Sequence, residues 1–132
     1  MASSEVKKCD EWPLLSPADT LKQKEEKLGG AESVWEFAPD DGVQRLRRRF
    51  TAKNFQAALD FIALAGATAE KRGHHPDFHL TSYRNVEVVV YTHSLKGLTE
   101  NDFLLAREID ECKVLYSPKW LRQHPHAQRT AL

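Results

Sequence analysis

Four of the six histidines in this chain fall between Glu70 and Asp102, in a stretch that holds Glu70, His74, His75, His79, Tyr83, His93 and Asp102. An unperturbed imidazole has a pKa of about 6.5, so one histidine can give a proton and another take one near neutral pH. Such a set can run a reaction that needs acid and base at different atoms, without redox chemistry or a strong Lewis acid. Metal binding is the other chemistry open to His74, His75, His79 and His93. Adjacent histidines on an extended segment tend to point apart, and no cysteine lies nearby. Acid–base work is therefore the better reading, and no metal is expected.

The surrounding elements must bring these side chains together. Lys53 to Arg72 is predicted as a helix, with Phe55, Ala58, Leu59, Ile62, Ala65 and Ala69 as its apolar face. Gly73 follows Lys71-Arg72 as a cap should, and Pro76 prevents the helix from continuing. His74-His75-Pro76 thus emerges from a helix end. Glu70 lies four residues earlier and is expected to point at His74. Phe78 to Tyr83 reads as a strand, Arg84-Asn85 as its turn and Val86 to Thr92 as the return. Parity puts Val86, Val88, Val90 and Thr92 on one face, and Glu87, Val89, Tyr91 and His93 on the other. His79 is expected on the solvent side. Thr99 opens another helix, with Asp102 as the acid of a capping box and Leu105, Ala106, Ile109 and Cys112 on its buried side.

Upstream, Ser16 caps a helix with Pro17 in its first turn, Leu21 and Leu28 as its apolar stripe, and Gly29-Gly30 as its stop. Ser33 to Phe37 and Val43 to Phe50 form a hairpin around Pro39-Asp40-Asp41-Gly42. The order helix, hairpin, helix, hairpin, helix predicts an α+β fold: a four-stranded antiparallel sheet with three helices packed on one face. Residues 1–12 are read as a flexible arm and 13–114 as the domain. Residues 115–132 are read as a C-terminal extension, docked through Trp120 and Leu121 or disordered.

The chain has 132 residues, enough for one core. Lys plus Arg and Asp plus Glu both number 19, so no net field attracts nucleic acid or an acidic membrane, and none opposes self-association. Arg45, Arg47 and Arg49 share one strand face, while Arg48 falls with Leu46 and Phe50. This run reads as a solvated sheet face or a subunit contact rather than a nucleic-acid patch. The two cysteines, Cys9 and Cys112, are too few for a disulfide framework, so free thiols in a reducing, cytoplasmic setting are expected. Cys112 reads as a buried small hydrophobe, and Trp12, Trp35 and Trp120 as packing residues. The first eleven residues hold no apolar stretch of the signal-peptide kind, and no apolar run is long enough to span a bilayer.

The spaced set Glu70, His74-His75-Pro76, Tyr83, His93 and Asp102 resembles the signature of the pterin-4a-carbinolamine dehydratases. The words Glu70-Lys71, Thr92-His93 and Gly97-Leu98-Thr99 agree with it, and the resemblance covers about Leu14 to Cys112. It implies removal of water from a 4a-hydroxy-tetrahydropterin to give a quinonoid dihydropterin, with no cofactor. It implies His74 and His93 as the acid–base pair, and a catalytic His75 that also holds the pterin. Glu70 would orient His74, Thr92 and Asp102 would line the pocket, and Phe78 would supply an apolar wall where the family often has Trp. Gly73 stands where some members carry Asp. Asp102 could instead serve only as a helix cap, and Tyr83 is as well explained by packing. The resemblance further implies a homodimer or homotetramer, in the cytoplasm with access to the nucleus. A second function it implies is a transcription-factor dimerization cofactor, which would use helix surfaces and not the histidines.

Overall fold

The computed structural model describes residues 8–129. Its first long element is α1, Pro17–Leu28, which starts because the Ser16 side chain accepts a hydrogen bond from the Asp19 backbone and ends at left-handed Gly29. Leu28 is buried, but the other half of the expected stripe, Leu21, is 61% exposed, and Thr20 turns inward in its place. Helix α1 packs on a later helix, α3, Glu100–Asp110.

The sheet consists of β1, Trp35–Phe37, β2, Leu46–Thr51, β3, Asp77–Thr81, and β4, Asn85–Val90. All pairings are antiparallel and the order is β1-β2-β4-β3. The expected α+β architecture holds, with α2, Phe55–Arg72, between the two hairpins. The turn of the second hairpin falls earlier than predicted. Thr81 pairs with Asn85, so Ser82, Tyr83 and Arg84 form the tip, with Ser82 and Tyr83 at positive φ. Tyr83 is exposed there and does not pack in the core.

Register sets the core. Leu46, Arg48 and Phe50 face inward beside Val90, Val88 and Val86. The buried stripe of α2 is rotated from the expected one: Ala57, Ala58, Phe61, Ala65 and Ala69 are buried, while Phe55 and Leu59 are exposed. Four alanines bring this helix close to its neighbours, and Phe61 is the large side chain that fills the gap, edge-on to Phe50. Helix α3 ends at Asp110, so Cys112 lies past it and is only partly buried.

The arginine run divides as parity predicted, but with an unexpected result. Arg47 and Arg49 lie on the outer face and pair with Glu36. Arg48 is a core residue, 1% exposed. Its guanidinium donates to Asp110 at 3.0 Å and to the Tyr116 hydroxyl at 2.8 Å, and Trp35 Nε1 donates to the same Asp110 oxygen at 2.9 Å. Residues beyond the expected domain end also belong to this region. Tyr116 bridges to Ala52, and a short helix, α4, Pro118–Gln123, stacks Trp120 against Tyr116. No helix among the described residues is long and apolar enough to cross a membrane.

Removing one partner of the Arg48–Asp110 pair leaves a buried charge. Asp110→Ala should cost about 3–5 kcal/mol in urea unfolding, and Arg48→Met combined with Asp110→Leu should cost much less. Burial pushes the Asp110 carboxyl from 3.8 up to about 6, against the Arg48 charge and the Trp35 donor. Between those values the folded state holds a proton that the unfolded chain has released, so this group's contribution to stability falls as pH rises. Unfolding of Asp110→Asn across that window should lack this component.

Candidate active site

The site is built where three segments meet under the end of α2. Gly73 closes that helix in the left-handed conformation, φ 69°, with its N–H on Ala69 and Glu70 carbonyls. A left-handed residue reverses the chain direction at little cost only in glycine, or in Asn and Asp to a lesser degree. The reversal turns His74 inward, 3% exposed, and leaves His75 outside. Arg72 locks the helix end in place. It donates to both oxygens of Glu108 at 2.9 and 2.8 Å and to Asn101 at 2.8 Å, which ties α2 to α3. Hydrogen bonding to Arg72 holds the Glu108 carboxyl below its ordinary range.

Asp102 is the centre of the arrangement and is fully buried. One carboxylate oxygen lies 2.5 Å from His74 Nε2. The other accepts from the Thr92 hydroxyl at 2.9 Å and from the Thr99 backbone N–H at 2.8 Å. Every partner can donate, so the arrangement is that of an ionised carboxylate with the proton on His74 Nε2. The capping box expected of Thr99 and Asp102 is present, and the same carboxylate serves the histidine. Cap and site residue are one side chain.

His93 follows Thr92 directly and opens a short 3-10 turn, His93–Leu95. It is exposed, and its ring lies 4.2 Å from that of Tyr91, tilted by 34°. A bridge between Thr92 and Gly97 closes this loop. A Cβ at Gly97 would sit 2.9 Å from a methyl of the exposed Leu14, whose side chain would have to shift. The structure thus brings His74, Thr92 and Asp102 into one hydrogen-bonded chain, with His75 and His93 each one residue away from it.

One expected contact differs. Glu70 does not reach His74; it pairs with the exposed His75 at 2.9 Å, because the Gly73 reversal carries His75, not His74, back over the last helical turn. Phe78 packs against the core from the inner face of β3. His79 is on the outer face, as parity required. Sequence reasoning missed Cys9. A 3-10 turn, Cys9–Glu11, docks on the His93–Leu95 turn and places Cys9 Sγ 3.1 Å from His74 Nδ1. This described end of the expected arm is therefore in contact with the site, whereas residues 1–7 lie outside the described part. Burial, followed by the negative charges of Asp102 and Asp10, pushes the Cys9 thiol up. Nothing in a lone, distant cysteine signalled this contact.

Asp102→Ala removes a helix cap and leaves three buried donors without their acceptor. Loss of the cap and of satisfied donors predicts destabilisation by about 3 kcal/mol or more in urea unfolding.

Residues 16–112 match the family described as pterin 4 alpha carbinolamine dehydratase. A mitochondrial pterin-4-alpha-carbinolamine dehydratase 2 of Arabidopsis thaliana is 36% identical over 86% of this chain, which spans 61% of that longer protein. A putative dehydratase of the same name from Photobacterium profundum is 38% identical over 80% of this chain and 92% of its own length. Among solved structures, a transcriptional coactivator/pterin dehydratase from Brucella melitensis is 32% identical. It superimposes with a TM-score of 0.62 over 74% of this chain and 96% of its own. The chain belongs to the pterin-4a-carbinolamine dehydratase family.

Proposed function

We infer that this protein dehydrates a 4a-hydroxy-tetrahydropterin to the quinonoid dihydropterin, by histidine acid–base catalysis, in the recycling of tetrahydrobiopterin. The observation that carries the reading is the chain His74–Asp102–Thr92, which ties His74 to the residue that precedes His93 in a member of this family. The reaction needs an acid to protonate the leaving 4a-hydroxyl and a base to take the N5 proton. His93 and His75 are exposed and can meet a substrate from solvent. His74, backed by Asp102, supplies the oriented imidazole that completes the acid–base set. Glu70 orients His75, Thr92 and Asp102 hold His74 from behind, and Phe78 supplies an apolar wall for the pterin. No bound cofactor enters these steps. The setting proposed is the cytoplasm.

A second reading draws on one further observation. Phe55, Leu59 and Leu64 on α2 are exposed apolar side chains. They support a homodimer or homotetramer, or a protein partner docked on the helix surface, as in a dimerization cofactor. That role would leave the histidines idle.

The deciding experiment follows the quinonoid product in the ultraviolet from freshly generated 4a-hydroxy-tetrahydropterin. Wild type should exceed the uncatalysed background, and His74→Ala and His93→Ala should each lose roughly 10²–10⁴-fold. A wild type no faster than background would overturn the dehydratase reading in favour of the interaction role of the α2 surface.

A further inference from the structure

We propose that Cys9 is a positioning residue of this site, a thiol that keeps its contact with His74 Nδ1 in both protonation states of the imidazole. The role rests on the reading of His74 as part of the acid–base set. His74 has one ring nitrogen committed to Asp102, so Nδ1 is where its protonation changes. Cys9 Sγ lies 3.1 Å from that nitrogen, and the Gly73 carbonyl lies 3.4 Å from the same sulfur. With neutral His74 the S–H donates to Nδ1. When Nδ1 carries a proton, that N–H donates to sulfur and the S–H points to the Gly73 carbonyl. The proton that Nδ1 gains passes through the thiol: the partly exposed sulfur takes one from the solvent side as its own S–H proton moves to Nδ1, so one S–H bond forms as another breaks and the thiol is neutral in both states. The ring is gripped at opposite nitrogens in either state, which spares the reorganisation that an unsupported imidazole would undergo. Burial beside Asp102 and Asp10 favours the protonated thiol that this exchange requires.

The test uses the full chain, ¹⁵N-labelled, as wild type, Cys9→Ala and Cys9→Ser. A hydroxyl donates and accepts as a thiol does, and an alanine methyl does neither. The His74 Nδ1 resonance should move in Cys9→Ala and return towards the wild-type position in Cys9→Ser. In the dehydration assay Cys9→Ala should lose about tenfold in kcat, the size of one lost hydrogen bond, with KM nearly unchanged, and Cys9→Ser should recover most of it. An unmoved Nδ1 resonance in a folded, active Cys9→Ala variant would overturn this role alone. So would a rise in kcat, which would make the turn an obstruction, or a folded Cys9→Ser as impaired as Cys9→Ala. A wild type without dehydratase activity would overturn the reading of the site, and this role with it.

Discussion

A single buried carboxylate holds the site together. Asp102 is shut away from water, yet it is surrounded by donors: His74 Nε2, the Thr92 hydroxyl and the Thr99 N–H. A charge in that position is tolerable only if all of these contacts form at once. Each contact comes from a different segment: the exit of α2, the end of β4 and the start of α3. The need to satisfy one charge therefore fixes the relative placement of these three pieces of chain, two of which carry histidines.

Helix α3 repeats this device along its length. Asn101 and Glu108 take the fork of Arg72 and so hold the end of α2. Asp110 takes Arg48 from β2 and Trp35 from β1. A short helix with an apolar side of Phe103, Leu105, Ala106 and Ile109 thus carries polar anchors to its neighbours. Apolar packing supplies most of the stabilisation, and the anchors supply direction, because hydrogen bonds tolerate little error in angle. The histidine pair needs that direction. His74 and His75 are adjacent, and one must turn in while the other stays out.

The histidines differ in their surroundings. His74 is enclosed and bonded on both ring nitrogens. His75 and His93 are exposed and each rests against one neighbour, Glu70 or Tyr91. In the proposed reaction the enclosed imidazole would place a proton and the exposed ones would meet the substrate. The N-terminal turn completes the enclosure by laying Cys9 on His74.

Much of this was legible in the sequence because it rests on local rules. Helix caps at Ser16, Thr99 and Gly73, the alternation from Val86 to Thr92 and the order of elements all depend on neighbours in the chain, and they specify the α+β fold. The spacing of Glu70, His74-His75-Pro76, His93 and Asp102 marked the candidate site only through its resemblance to a family signature. What the sequence left open depends on contacts between residues far apart. Leu59 and Phe61 have equal claims to a helix core until the sheet against α2 selects Phe61. Arg48 reads as surface until Asp110 and Tyr116 arrive from more than sixty residues away. Glu70 lies one turn before His74 in sequence, but the Gly73 reversal gives it His75. Cys9 carries no signal at all, since its partner is 65 residues distant. Periodicity and capping determine which elements form, but only tertiary packing decides which polar groups share a buried space, because that depends on how the elements close on one another.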